Sequence, residues 1–257
     1  MAESKVVIIV EYDGTAYCGF QLQKGVPTVQ EELEKAIKSL TGEKRRVVGA
    51  SRTDAGVHAV AQVVSFRTGS DHSPAVFVNG LNHYLPRDIA VKSAYCVRDS
   101  LNVQKEAISR EYRYCILNSG TRSPLRQRYS YRVAGELDTG AMNRACELIA
   151  GEHDFVSFAS ALEAKHVGKT RRTILNARIV REKEDLVVFE IEANSFLTHQ
   201  VRNTMGSLLR VGQGKMSLEE FNNIIEIKKA GAAGPGIPPC GLFLVKVNYP
   251  FSFEEAA

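Results

Sequence analysis

The spacing of apolar positions changes period several times along the chain, and each change marks an element. Residues 5–12 form a β-branched run that stops at Asp13-Gly14, which predicts a strand ending in a turn. Apolar positions then recur at helical spacing, at Val29, Leu33, Ala36, Ile37 and Leu40, and Thr28 with Glu31 makes a capping box ahead of them. Residues 45–49 and 60–66 read as short strands flanking a polar loop. Pro74 starts a second helix reaching about Tyr84, and residues 88–97 alternate as a fourth strand. The order is βαββαβ, that of a ferredoxin-like unit.

The second half repeats this order with additions. Residues 107–117 predict a long strand, and Asp138 caps a helix that stops at Gly151. Residues 171–181 and 186–193 form a strand pair, and a helix runs over about 196–211. Ser217 with Glu220 makes another capping box for a helix to about Lys229; AGAAGPGIPPCG is a loop, and residues 242–247 close as a strand. The expectation is an α+β fold of two ferredoxin-like βαββαβ halves, 1–104 and 105–257, whose sheets adjoin around a central cleft.

Composition narrows the functional classes. A chain of 257 residues with 44% hydrophobic content buries a large core without a disulfide or metal staple. Its five cysteines are odd in number and scattered, with no Cys-x-x-Cys spacing, which speaks against a disulfide framework or a zinc site. His58 and His153 lack Cys or Glu at ligand spacing and read as packed or turn histidines, so no metal is expected. No secretory signal or apolar run of membrane-spanning length is present, which points to a soluble cytoplasmic protein.

A net charge of +4 says little about partners, but its distribution says more. RSPLRQRYSYR, residues 122–132, holds four arginines and two tyrosines and no acid, with Arg122, Arg126 and Arg128 leading; KHVGKTRR adds Lys165, Lys169, Arg171 and Arg172. Either run alone fits a solvated loop face. Together, with interleaved aromatics, they fit RNA, whose backbone needs cations and whose splayed bases need stacking surfaces.

The sharpest feature is GASRTDAGVHA, residues 49–59, between two predicted strands. It sets Arg52 two residues before Asp54 and Gly56 two residues after, so a tight turn holds a carboxylate near a cation able to keep it ionised and oriented. With this loop the chain resembles the TruA-type tRNA pseudouridine synthases, which carry an Arg-Thr-Asp-Ala-Gly-Val-His loop. The resemblance runs from Val6 to Pro250 and includes EYDGTAYCGFQLQ, TVQEELEKAI, LNHYLPRDIAV, SREYRY, GEHDFVSF, TRRTI, SFLTHQVRNTMGSLL and GLFLVKVNYP.

The resemblance implies that Asp54 is the catalytic aspartate, that Tyr112 contacts the target base, and that Arg52 and Arg202 are the active-site cations. Leu242, with Leu244 as the alternative from the same block, is implied as the apolar residue beside the flipped uridine. It further implies a homodimer acting, without a cofactor, on uridines 38, 39 and 40 of the tRNA anticodon arm. Two departures stand out: Phe20 replaces the family's usual Trp, and Leu-Asn-Val-Gln at residues 101–104 replaces its usual Phe-His-Ala-Arg.

The residues agree with these roles. Tyr112 shares a strand face with Tyr114, and Arg202 follows His199 by one helical turn, opposite Val201, Met205 and Leu208. Isomerising uridine breaks an N-glycosidic bond and rejoins the base through C5, so the base must leave the stack and water must stay out. One carboxylate suffices for this, whether it attacks the sugar, attacks the base or takes a sugar proton. A chemistry-free RNA-binding module and a small-molecule N-glycosidase are the alternatives; the first leaves the Arg52-Asp54 loop unexplained, and the second needs a water-activating carboxylate.

Overall fold

The computed structural model describes residues 3–160 and 170–256. The chain forms two compact units, Met1–Arg110 with Phe243–Ala257, and Glu111–Leu242. Each is a mixed α+β unit, as the periodicities predict.

The first unit holds β1 (Ser4–Tyr12), α1 (Val29–Thr41), β2 (Val48–Gly49), β3 (His58–Thr68), α2 (Pro74–Tyr84) and β4 (Ile89–Val97). Its strands lie in the order β4-β1-β3, antiparallel throughout, with β2 on the far part of β3 at Val48↔Ser65 and Gly49↔Val64. β1 is central, so Val6, Val7 and Ile8 are buried on both faces and the run is β-branched rather than alternating. Leu33 and Ile37 of α1 and Phe77 and Leu81 of α2 complete the core, with Phe77 edge-on to Phe66 of β3 at 5.7 Å. Only half of the Thr28 capping box forms: Thr28 Oγ1 accepts from Glu31 N–H, while the Glu31 carboxylate reaches Lys35 instead.

The closing strand, β10 (Leu242–Asn248), joins this first unit rather than ending the second: Phe243 and Leu244 pair in parallel with His58 and Ala59 of β3. The tail after it packs as an aromatic cluster of Tyr95, Tyr249, Phe251 and Phe253, with the Arg98 guanidinium over Phe251. The departing residues 101–104 form a turn here: Leu101 and Val103 are fully buried, and Asn102 Oδ1 accepts from the N–H groups of Gln104 and Lys105.

The second unit holds most of β5 (Ser109–Asn118), with β6 (Tyr131–Val133), α3 (Thr139–Ile149), β7 (Gly151–Asp154), β8 (Arg171–Lys183), β9 (Leu186–Ala193), α4 (Gln200–Gly212) and α5 (Leu218–Glu226). Its strands run β5-β9-β8-β7, with β6 parallel to β5. The Ser217–Glu220 capping box forms in both directions. α4 begins at Gln200, four residues later than its periodicity predicts, because His199 adopts a left-handed φ of 66° and Gln200 Oε1 accepts from Leu197 N–H.

α4 is also less amphipathic in place than in sequence. Its polar side, Asn203, Thr204 and Ser207, is buried along with Val201, Met205 and Leu208. The Gly/Pro-rich segment before β10 covers it: Ser207 Oγ donates to Ala233 C=O at 3.1 Å, and a Cβ on Gly206 would stand 3.0 Å from Pro235 O. No helix among the described residues is long and apolar enough to cross a membrane.

Candidate active site

Asp54 sits on the loop between β2 and β3, and backbone groups of that loop are held residue by residue. Ala50 N–H donates to Val63 C=O at 2.8 Å. Ser51 exchanges two bonds with the fully buried Gln62 side chain, its N–H donating to Oε1 at 3.2 Å and its C=O accepting from Nε2 at 2.8 Å. Thr53 turns inward, its hydroxyl 2.7 Å from the Tyr12 hydroxyl, and its C=O accepts from Phe20 N–H at 3.1 Å. Asp54 C=O then accepts from Val57 N–H at 3.1 Å across a turn whose third residue, Gly56, has the positive φ of 74° that a type II turn demands. Asp54 is left half-buried at the rim, between buried Thr53 and exposed Ala55.

The residues after β1 wrap this loop so closely that two of them must be glycine. A Cβ on Gly14 would lie 2.0 Å from Val57 O, and one on Gly19 would lie 2.7 Å from Thr53 O. Phe20 is buried with its ring against Gly49, so it fills its place by packing. His58 Nδ1 lies 3.1 Å from both Gly14 N and Asp13 Oδ1. Gly14 N–H donates to Nδ1, and the Asp13 carboxylate stands beside the same nitrogen. With Phe243 stacked on it at 4.7 Å, His58 is a packing residue; His153 meets Ala150 C=O at 2.9 Å.

Arg52 is exposed and lines an open cavity of about 230 Å³ with Phe20, Gln30, Arg46, Val48 and Gln104. Backbone groups and Thr53 anchor the loop.

In the second unit Tyr112 is buried in β5 with Phe196 edge-on at 5.2 Å. Tyr114 shares its strand face but is structural: its hydroxyl donates to Pro238 C=O at 2.6 Å, and burial pushes its phenol far above the ordinary value. Arg202, half-buried on α4, donates from Nε to Ile237 C=O at 2.9 Å, which fixes the stem of its guanidinium. Leu242 is buried at the start of β10, and Leu244 is fully buried too. Gly241 precedes Leu242 because a Cβ there would meet Cys115 O at 2.6 Å and the Tyr114 ring at 2.8 Å.

Residues 8–104 and 145–250 match the family described as tRNA pseudouridine synthase. The chain belongs to that family. It is 41% identical over 244 residues to tRNA pseudouridine synthase A of Thermoanaerobacter sp. (strain X514), covering 95% of this chain and 99% of that one. It is 42% identical to the protein of the same name from Acetivibrio thermocellus over the same shares, and 40% identical to that of Colwellia psychrerythraea over 95% of this chain and 93% of that one. An H/ACA ribonucleoprotein bound to a substrate RNA containing 2'-deoxyuridine aligns with 78% of this chain and 44% of its own at 13% identity and a TM-score of 0.37, too distant a likeness to bear on function. As a tRNA pseudouridine synthase, the protein isomerises uridine in tRNA.

The basic runs of the synthase are acid-free along the chain but not in space. Arg126 grips both carboxylate oxygens of Asp185, and this bonding holds the Asp185 carboxyl below its ordinary value. Arg171 pairs with Glu152 through Nη2 at 2.6 Å, and Arg172 Nη1 donates to Arg171 C=O at 2.7 Å. Arg122 and Arg128 are exposed, and Lys165 and Lys169 lie outside the described residues. No group of three or more His, Cys, Asp and Glu among the described residues is placed to hold a metal ion.

Sequence reasoning missed the residues that hold the Asp54 loop: Tyr12, Gln62 and Arg110. The one signal was Gln62 itself, an amide between the apolar Ala61 and Val63. Gln62→Leu removes both of these bonds to the half-buried Ser51 backbone. We expect a loss of about 1–3 kcal/mol in a denaturant melt, the net contribution of two hydrogen bonds.

Proposed function

We propose that this synthase converts uridines 38, 39 and 40 of the tRNA anticodon stem-loop to pseudouridine, with Asp54 as the catalytic carboxylate. The observation that carries the reading is the Asp54 loop: it is tied through backbone and buried groups at Ala50, Ser51, Thr53 and Gly56, while the Asp54 side chain stands at the half-buried rim. Such an arrangement fixes the backbone that carries one carboxylate, as chemistry on an extruded base requires.

In this proposal Tyr112 contacts the target base, Arg52 and Arg202 are the active-site cations, and Leu242 packs against the flipped uridine. The protein works in the cytoplasm as a homodimer and needs no metal or organic cofactor. These last features are supported by the family resemblance and, for the cofactor, by the self-contained chemistry of the isomerisation.

Mapping pseudouridine in unmodified tRNA transcripts, with uridines 38, 39 and 40 replaced singly by cytidine, tests the reading. Modification confined to the remaining uridines of that trio is expected; modification elsewhere in the tRNA overturns it. The basic runs divide further. Arg122→Ala is expected to lower the salt slope of tRNA binding by up to about one unit. Arg126→Ala and Arg171→Ala give smaller changes, because Asp185 and Glu152 already compete with phosphate for those guanidinium groups. Equal slopes for all three variants and the wild type remove both runs from the RNA path.

A further inference from the structure

Arg110, the second residue of β5, is nearly buried, yet its guanidinium is turned to backbone carbonyls in its own unit. Nη2 donates to Ala50 C=O at 3.1 Å and to Gln104 C=O at 2.8 Å, and Nη1 donates to Ala107 C=O at 3.2 Å. Nη2 carries two hydrogens, and these two carbonyls take both. Gln104 and Ala107 lie in the connector leading into β5, whereas Ala50 opens the catalytic loop four residues ahead of Asp54.

Ala50 is itself buried, and its two polar groups are held from different elements: its N–H by Val63 of β3 and its C=O by Arg110. Ser51, next along, is held in both directions by Gln62. The stem of the loop is therefore fixed at two consecutive residues, and Arg110 ties it to the connector. We infer that Arg110 is a positioning residue for the isomerisation, setting where the stem of the Asp54 loop stands while touching neither the base nor the reacting atoms. The inference rests on the reading of Asp54 as the catalytic carboxylate.

Its physical basis is the geometry of the donor. A planar guanidinium holds several donors in a rigid fork, so it fixes the carbonyls relative to one another as well as binding them. Lysine keeps the charge but ends in a compact ammonium on a single stem and cannot span the same three oxygens. Glutamine keeps a planar donor but loses the charge and the reach. A shift of about 1 Å at the stem, carried to Asp54, is enough to cost about a hundredfold in rate.

The test is single-turnover conversion of unmodified tRNA by saturating enzyme, with tRNA affinity and melting temperature measured on the same preparations. Arg110→Lys is expected to slow conversion about tenfold and Arg110→Gln about a hundredfold, with tRNA affinity within about threefold of wild type, because only the placement of the carboxylate has changed. Should Arg110→Gln fail to fold, Arg110→Lys, which leaves no buried cavity of that size and retains the charge, decides the matter. A merely structural role lowers the melting temperature and leaves the rate of the folded enzyme at wild type; that result, or a loss confined to tRNA affinity, overturns the inference. Asp54→Asn, run alongside, separates the two claims, since conversion by that variant overturns the catalytic reading instead.

Discussion

Asp54→Asn is expected to leave a folded protein that binds tRNA and forms no detectable pseudouridine. Asparagine keeps the shape of aspartate and most of its hydrogen-bonding capacity but carries no charge and is no nucleophile or base. The contacts that hold the loop are made by Val63, Gln62, Tyr12, Phe20 and Tyr17 to backbone groups and to Thr53, so they survive the substitution. Loss of a lone catalytic carboxylate costs on the order of 10⁴-fold or more, or about 5.5 kcal/mol of barrier. Single-turnover conversion by excess enzyme, read after digestion to nucleosides, measures it directly. Conversion at the wild-type rate would remove Asp54 from the mechanism, and loss of tRNA binding with a normal melting curve would make the loop a binding element.

Gly14→Ala carries the second large effect, and it works through sterics alone. The added Cβ would fall 2.0 Å from Val57 O and 2.6 Å from Val57 C, which are main-chain atoms at the end of the Asp54 turn. A flexible side chain can yield to such a clash, but this backbone is fixed by Val57 N–H to Asp54 C=O, and the facing Gly14 N–H by His58. The turn must move. We expect a stability loss of about 3 kcal/mol, at the upper end for overpacking, together with a fall of at least about a hundredfold in single-turnover rate. Gly25→Ala is the control: its φ is 80°, but a Cβ there meets nothing within 4 Å. It should cost about 1 kcal/mol and leave the rate unchanged. Equal behaviour of the two variants would show that the wrap around the loop does not govern the chemistry.

The loop itself was legible because its signals are local. Gly56 in a tight turn, a carboxylate at its start and strands on either side are all read from spacing. The anchors were not legible, because each comes from far along the chain: Tyr12 reaches Thr53 across 41 residues and Arg110 reaches Ala50 across 60. Nor does spacing report that Arg52 stands exposed in an open cavity with Arg46 and Gln104.

By itself the sequence determined most elements and their order, the short strands β6 and β7 excepted. The β-branched run of β1, the helical spacing of α1, the Ser217–Glu220 box and the βαββαβ sequence of the first unit all follow from periodicities of two to four residues, which local backbone geometry enforces. Tertiary structure alone decided where polar groups find their partners. It joined β10 to the first unit, buried the polar side of α4 beneath a glycine-rich segment, and gave Arg126 an acid from the β8–β9 turn and Arg171 one from the neighbouring β7. The reason is physical: periodicity reports that a face is buried, but a buried polar group is satisfied by whichever segment arrives beside it, and that segment is chosen by the packing of the whole unit.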